Sequence, residues 1–504
     1  MIKSLLKKSV ISALLTLIVT SVVSADTYVD PQLLKFINNN AERSLKVIVL
    51  LKYDTNGIPA PARYQSAQVK KYLQSLYKKS FQTAFSEIAK NPNDMRIVNQ
   101  FWINNSLGME VTPNGLRKLT QIPNVEKIYA NRKILYVNPV SGRIAPHKED
   151  ADYPYDLKEI KIDELMKTNP EIQGRGVNVG VIDTGMDGKH PALAGKIALF
   201  YDSVANQITE PVDRDRHGTH VSGTIAGGDR TTTNIAVAPE AKIIGAAALD
   251  GYDKMLQSMQ FMLDPDSNPN TQDSPALISN SWNAEGAPDI ELFYRAISAW
   301  EAAGILPVFS AGNSGPGPST ITTPHEHPSV LAIGATGKDG KIAKFSSRGP
   351  ATFQGKTIQK PDFTAPGVDI ISSIPGGKMA ALSGTSMACP HAAGIAALLF
   401  QVNNKFTPQQ IREIIMNTLT YVNGNGDPIT APKWDPAYGF GKMNALAAVK
   451  LAMSLTGRSR FQSSLENFAF NGRPQIKLST GNFNVNDLTA NYPTVPAKWA
   501  VVKK

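Results

Sequence analysis

The stretch LSGTSMACPHAAGIAALLF, residues 382–400, decides how the rest of the chain is read. Ser383-Gly384-Thr385 reads as a tight turn that delivers Ser386. The apolar run behind it includes Met387, Ala388, Ala392, Ala393, Ile395, Ala396, Leu398 and Leu399. Its small residues suit a buried helix packed closely against other elements. Ser386 then stands at that helix's N-terminus, where unpaired N–H groups and the positive end of the dipole favour developing negative charge. Pro390 is tolerated only in a first helical turn, which supports the same placement. A serine nucleophile needs such a perch, together with a base and an oxyanion site. A capped core helix would look the same, so the rest of the chain must supply the base and the carboxylate.

With 504 residues, 42% of them hydrophobic, the chain has room for two or three globular domains. Residues 1–25 stand apart. Lys3, Lys7 and Lys8 precede an apolar run from Val10 to Val23, followed by Ser24-Ala25. A charged start, an apolar core and a small-residue cleavage site make a secretory signal, cut near Ala25. The protein is therefore expected outside the cytoplasm, in a periplasm or the medium. The run is short for a membrane span. No later segment reads as long and apolar enough to cross a bilayer, so no membrane contact is expected after signal cleavage. The single cysteine, Cys389, excludes an intramolecular disulfide. Its place in the apolar run three residues past Ser386 makes it a small buried hydrophobe rather than a reactive thiol.

The net charge of +10 has to be divided along the chain. Residues 26–150 carry 18 Lys and Arg against 10 Asp and Glu, and residues 151–455 carry 24 against 30. The tail, 456–504, carries seven against two. The basic character lies outside the middle segment, which argues against a nucleic-acid partner. Opposite charges on neighbouring segments suit docking of one on the other.

Four regions follow. In 26–150, LKVIVLLKY (45–53) reads as a buried strand, and 63–90 has helical spacing between Pro61 and Asn91-Pro92. FWINNSLGMEV (101–111) reads as a strand, LRKLTQI as a helix and VEKIYANRKILYV (125–137) as a further strand. With one further strand these segments make the order β-α-β-β-α-β, which predicts a small α+β, ferredoxin-like sandwich. Residues 138–156, rich in Pro and charge, read as an exposed linker. In 151–455 apolar strands alternate with helices: 176–185, 242–249, 276–282, 305–313 and 330–336 are strands, and 289–304, 407–417 and 443–455 are helices. This alternation predicts an α/β fold with a mostly parallel sheet and helices on both faces. The tail, 456–504, is a polar extension.

Three further stretches carry chemistry. VIDTG (181–185) places Asp183 at the C-terminal end of a buried strand, where sites form in open α/β sheets. DRHGTHVSGTIAG (215–227) places His217 before a small-residue helix, and SAGNSGPG (310–317) offers Asn313 after another strand. His217 is then a base between a nucleophile, Ser386, and a carboxylate, Asp183, which would fix the imidazole tautomer. Asn313 and the Ser386 N–H would hold an oxyanion. His217 and His220 are three apart but lack the helical HExxH context and a third ligand, so zinc is not expected. His220, His391, Asp187 and His190 read as structural, and His325 and His327 as exposed in a Pro-flanked loop.

The order Asp183, His217, Ser386 within DTG, HGTH and GTSMACPHAAG resembles the subtilisin-like (subtilase) serine endopeptidases over residues 170–450. GTSMA-x-P-H together with HGTHVSGT is highly specific. Residues 40–136, through GMEV and LRKLTQIPNVEKIYANR, are similar to the family's inhibitory propeptide. The resemblance implies a secreted endopeptidase acting on proteins or peptides. It implies a zymogen, cut within 138–156 and then inhibited by its own propeptide, and an active monomer that needs no cofactor for catalysis. It also implies that Ser281, Trp282 and Asn283 line one wall of the specificity pocket and Ser310, Ala311 and Gly312 the other. The family commonly has a smaller aliphatic residue and a glycine where Trp282 and Asn283 stand. An apolar-lined pocket is expected. Structural calcium is common in the family, but Ala192 replaces the usual Asp and the following loop reads GGDRTTTN (227–234). No metal ligands are assigned there. DPDSNPNTQD (264–273) has oxygen ligands at alternate positions, with Pro269 where a calcium loop would have Gly; it also reads as a surface insertion. An α/β-hydrolase would need GxSxG and the order Ser, Asp, His, which this chain lacks. Sedolisin-type peptidases lack the HGTH histidine. A non-catalytic scaffold should have lost one of Asp183, His217, Ser386 or Asn313, and all four are present.

Overall fold

The computed structural model describes residues 27–37, 44–53, 57–136, 139–145, 153–228, 234–248, 250–284 and 290–456. The expected signal segment and residues 457–504 of the polar extension lie outside the described residues, as do 229–233 of the loop after His217. The chain divides into two compact units. One comprises residues up to Gly57 together with Tyr72–Arg132, the other Ile58–Lys71 and everything from Lys133 on. Within the region expected to run to 150, residues 134–136 and 141–145 pair with strands of the larger unit.

In the smaller unit the order is β1 (Tyr28–Val29), α1 (Pro31–Ile37), β2 (Leu45–Leu51), α2 (Ser66–Ile88), β3 (Met95–Phe101), β4 (Ser106–Val111), α3 (Pro113–Leu119) and β5 (Val125–Ala130). The first six residues of α2 belong to the larger unit. The sheet order is β1-β5-β2-β4-β3. Val47, Val49, Leu107, Met109 and Ile128 form its core with Leu116 and Leu119 of α3. The single strand expected over 101–111 is the second arm of a hairpin. It begins at Ser106 because Asn105, with φ +58, turns the chain and donates its amide to the Lys52 carbonyl.

The larger unit continues with β6 (Ile134–Tyr136), β7 (Ser141–Ala145), α4 (Tyr155–Glu159), α5 (Ile162–Thr168), β8 (Asn178–Asp183), β9 (Ile197–Asp202), β10 (Gln207–Ile208) and α6 (His217–Ala226). Then come β11 (Lys242–Ala247), α7 (Tyr252–Leu263), β12 (Leu277–Asn280), β13 (Trp282–Ala284), α8 (Glu291–Ala302), β14 (Leu306–Ser310) and β15 (Leu331–Thr336). The last elements are β16 (Ala351–Phe353), β17 (Lys356–Ile358), β18 (Phe363–Pro366), β19 (Ile370–Ile374), β20 (Lys378–Ser383), α9 (Thr385–Val402), α10 (Pro408–Asn417) and α11 (Ala445–Thr456). The main sheet runs β10-β9-β11-β8-β12-β14-β15-β18, parallel throughout except β10.

Apolar runs such as NVGVID make these strands, because both faces of a parallel sheet are buried. The strand order turns around β8, with β11 on one side and β12 on the other. That arrangement opens a crevice at the carboxyl ends of the strands. Helix α9 packs on α6 and runs along β12, β14, β15 and β18, while α7 lies against β8 and β11 and α8 against β14. The core joins Val179, Val181, Leu306 and Ile333 of the sheet to Ala392, Ala393, Ala396 and Leu399 of α9. Gly304, with φ +81, stops α8 as its sequence predicts, and Thr407 with Gln410 builds a capping box on α10.

Several expectations change. Helix α9 is apolar enough to cross a bilayer, with a mean hydropathy of 1.2 over 18 residues. Yet it is 89% buried inside the unit, so its apolar character belongs to a core helix. Pro390 lies beyond the first turn of α9, inside the helix. Its ring removes the bond that would reach the Ser386 carbonyl, and the Ser281 hydroxyl donates to that carbonyl instead, at 3.5 Å. The strand read over 125–137 splits into β5 and β6, which belong to different sheets. The linker is exposed over Ser141 to Ile144, as expected, but those residues form β7, paired with β20. His325 and His327 are buried: Nδ1–H of His325 donates to the Ser310 carbonyl, and His327 packs edge-on against Phe353 and tilted against Tyr294. Burial pushes both imidazoles down, to about 4 and about 3 respectively.

Candidate active site

Asp183 is the last residue of β8, and His217 opens α6. Both are buried, and Asp183 Oδ1 lies 2.7 Å from His217 Nδ1. The approach depends on Gly218: a Cβ there would stand 2.0 Å from the Gly185 carbonyl oxygen. Asp213 ties the two pieces together. Its carboxylate accepts from the Thr184 hydroxyl at 2.8 Å and from the Thr219 N–H and hydroxyl at 2.9 and 2.6 Å. The Thr184 hydroxyl in turn accepts from the Gly218 N–H at 2.9 Å. Nothing in the spacing of Asp213 signals this function; only its place four residues before His217 hinted at it.

Burial pulls the His217 imidazole down, but Asp183, through charge and hydrogen bond, and the nearby Asp215 and Asp213 outweigh it. The net pKa is raised above the ordinary histidine value. Among the described residues the outward nitrogen, Nε2, is buried without a hydrogen-bond partner. The structure thus brings Asp183 and His217 together and makes no hydrogen bond from Nε2 to Ser386. Ser386 is fully buried at the second position of α9, the helix that packs on α6.

Asn313 meets the same helix end. Its Oδ1 accepts from the Thr385 N–H and hydroxyl, both at 2.9 Å. Its Nδ2 lies 3.2 Å from where a Cβ on Gly384 would stand, so a side chain at 384 would crowd the amide. The Thr385 hydroxyl also accepts from the Gly312 N–H at 3.2 Å. Of the other residues named for a pocket wall, Ser281, Ser310 and Ala311 are buried and Asn283 is half-buried. The Trp282 indole is buried edge-on against Phe293 and Phe309, and its N–H donates to Asn280 at 3.0 Å. Trp282 presents its backbone, not its ring, to β6.

The remaining named histidines have structural partners. His220 donates towards the carbonyls of Ile370 and Ala380, and burial lowers it to about 3. His391 lies 3.0 Å from Asp156, and His190 bonds the Lys378 carbonyl. Burial raises the Cys389 thiol to about 11, so it stays protonated and inert.

Sequence reading missed the chain's own passage through this crevice. Strand β6 pairs antiparallel with β13, Ile134 with Ala284, Leu135 with Asn283 and Tyr136 with Trp282, and on the other side Lys133 makes a single bridge to Gly251. Ile134 is buried and Leu135 is 44% exposed, the alternation of a strand with one face covered. The Tyr136 hydroxyl donates to the carbonyls of Asp183, at 3.2 Å, and Ala248. Its ring centroid lies 6.2 Å from that of His217. Beyond it, the Val140 N–H donates to the Ser383 carbonyl at 2.7 Å, and β7 pairs with β20. The only sequence signal was the apolar run ILYV at the end of the expected strand.

The family model described as the Subtilase family matches residues 174–441. Bacillopeptidase F of Bacillus subtilis (strain 168) is 32% identical over 400 residues, 73% of this chain and 27% of that protein. Serine protease AprX of the same organism is 31% identical over 420 residues, 76% of this chain and 87% of that protein. The chain thus spans about a quarter of bacillopeptidase F and most of AprX. A solved structure of fervidolysin from Fervidobacterium pennivorans, a keratinolytic enzyme related to subtilisin, superposes with a TM-score of 0.59. It is 22% identical, over 81% of this chain and 61% of that one, and the likeness establishes the subtilisin-like α/β fold.

Proposed function

The chain belongs to the subtilase family of serine endopeptidases, and on that premise we propose that it is exported by residues 1–25 as a zymogen that cuts itself and then hydrolyses proteins. Ser386 Oγ attacks the scissile carbonyl while His217 Nε2 takes its proton. Asp183 holds Nδ1–H and stabilises the imidazolium. Asn313 Nδ2 and the Ser386 N–H hold the oxyanion at the N-terminus of α9. His217 then returns the proton to the leaving amine, and a water repeats the sequence on the acyl-enzyme. The observation that carries this reading is the buried 2.7 Å Asp183–His217 pair, whose histidine opens a helix that packs against the one bearing Ser386. Ser281, Trp282, Asn283, Ser310, Ala311 and Gly312 flank the substrate's path. The enzyme acts as a monomer on protein or peptide substrates and needs no cofactor for the chemistry.

The positions of residues 133–136 and of Val140 support self-processing. Residues 133–136 lie between 250–251 and 282–284 as a bound peptide would. The chain then reaches Ser383, three residues from Ser386, at Val140. The bond to be cut therefore falls between Tyr136 and Pro139, at the front edge of the linker. Residues 26 to that bond are the inhibitory propeptide, and the catalytic domain extends to 455.

Intact mass and casein hydrolysis of the wild type and Ser386→Ala test this reading. The wild type should lose its residues up to that bond and digest casein, while Ser386→Ala stays full-length and inert. A mutant that matures and digests casein as the wild type does would remove Ser386 from the mechanism. If both chains stay whole and inactive, the scaffold reading takes its place.

A further inference from the structure

Strands β8 and β11 lie side by side in the main sheet, with Ala247 opposite Asp183. At their carboxyl ends two main-chain carbonyls, those of Asp183 and Ala248, face one hydroxyl. The single proton of the Tyr136 hydroxyl is shared between them, with the Asp183 oxygen at 3.2 Å. The Asp183 carbonyl also accepts from the Ala248 N–H at 3.0 Å, so the phenol takes its second lone pair. Proton transfer between Ser386 and His217 makes no use of this contact.

Tyr136 is held there from both sides. Its backbone pairs with Trp282. Its ring stands at 50° to that of His217, with the centroids 6.2 Å apart. The Trp282 indole is buried against Phe293 and Phe309, so β13 meets Tyr136 with main chain. Selection at this place therefore falls to the two carbonyls and the imidazole.

Carbonyl oxygens have lone pairs and no proton to give, so they select a donor. Burial, then the charges of Asp183, Asp213, Asp250 and Asp215, hold the phenol well above the ordinary tyrosine range, and it stays protonated. An acidic side chain would face the same carboxylates and carbonyls without a partner. A lysine could donate, but its charge would oppose the imidazolium that His217 becomes during the reaction. A phenylalanine would cover His217 and leave the carbonyls against an apolar ring edge. We propose that the place opposite Trp282 is a subsite for tyrosine: the main-chain carbonyls of Asp183 and Ala248 take the phenol proton, and the enzyme prefers protein segments that carry a tyrosine there, as its own chain does. The proposal rests on the reading of residues 133–136 as a bound substrate segment given above.

The subsite is built from main chain, so the test varies the substrate. Peptides of residues 131–145, NRKILYVNPVSGRIA, are given to the self-processed wild type, and kcat/KM is measured for the bond cut in the parent peptide. Tyr136→Phe removes the hydroxyl, and O-methyltyrosine at the same position keeps the oxygen without its proton. Each should lower kcat/KM roughly three- to tenfold, the worth of one neutral hydrogen bond. Tyr136→Glu and Tyr136→Lys should fall below the Phe peptide. A Phe or O-methyltyrosine peptide cut as well as the parent overturns the proposal, as does a Glu or Lys peptide cut faster than the Phe peptide. An enzyme that cuts all five at one rate has no such subsite and is still a peptidase. A chain that stays full-length and cuts none refutes the self-processing reading and the subsite with it.

Discussion

Two carboxylate clusters in the larger unit each hold a basic side chain, and they do so in opposite ways. Around His217, Asp183 makes one close contact, while Asp213 and Asp215 act from a distance and are satisfied by threonines and backbone N–H groups. Around Lys70, two carboxylates, a carbonyl and a hydroxyl crowd a single nitrogen. The first is built from elements fixed by the main sheet, with a base whose pKa the surrounding carboxylates raise. The second is an insertion loop closed by the Lys70 ammonium. Preorganisation for proton transfer wants the first arrangement, and anchoring a distant segment by a buried ion pair suits the second.

The contrast is broken most severely by Asp183→Asn. The amide keeps the shape and reverses the tautomer preference at Nδ1, so kcat should fall about ten-thousand-fold with the fold intact. Steady-state kinetics and a melting curve on one preparation check both halves. A melting midpoint that falls while kcat holds would make Asp183 structural.

In the other cluster the same kind of change should act on stability. Asp264→Asn in full-length Ser386→Ala leaves the buried ammonium with one charged partner fewer and should lower unfolding stability by about 3 kcal/mol, read from denaturant melts. A loss near zero would mean that Lys70 does not depend on Asp264.

The smallest effect sharpens the role of the distant charges. Asp215 is exposed, and Oδ1 accepts from the His217 N–H at 3.1 Å, a bond that Asn preserves. Asp215→Asn should remove one of the charges that raise the His217 pKa. The neutral base then forms at lower pH, so the acid limb of kcat/KM moves down while the plateau stays. High salt should shrink the difference, because exposed charges are screened. A limb that moves up, or a difference that persists in high salt, contradicts this account.

Much of the candidate site was legible because its residues lie in short blocks at the ends of apolar strands. VIDTG ends β8, and SAGNSGPG follows β14. Periodicity and the position of a polar residue after a β-branched run are enough to find them. Asp213 escaped because a carboxylate in a charged loop, DRDR, looks like any solvated run. The exposed reading of His325 and His327 failed because flanking prolines mark a loop without telling whether that loop lies over aromatic side chains. The run 125–137 read as one strand because pairing partners cannot be seen in a single segment: its two halves answer to β2 and to β13.

By itself the sequence determined the alternation of strands and helices, the placing of Ser386 at a helix N-terminus and the order of the chemical blocks. Each is a local property of spacing, capping or composition. The tertiary structure alone decided that the chain's own Tyr136 packs beside His217 and that Lys70 sits in the loop following α7. Both join residues far apart in the chain, and such contacts follow from how sheet edges and buried charges find partners, not from any neighbour in sequence.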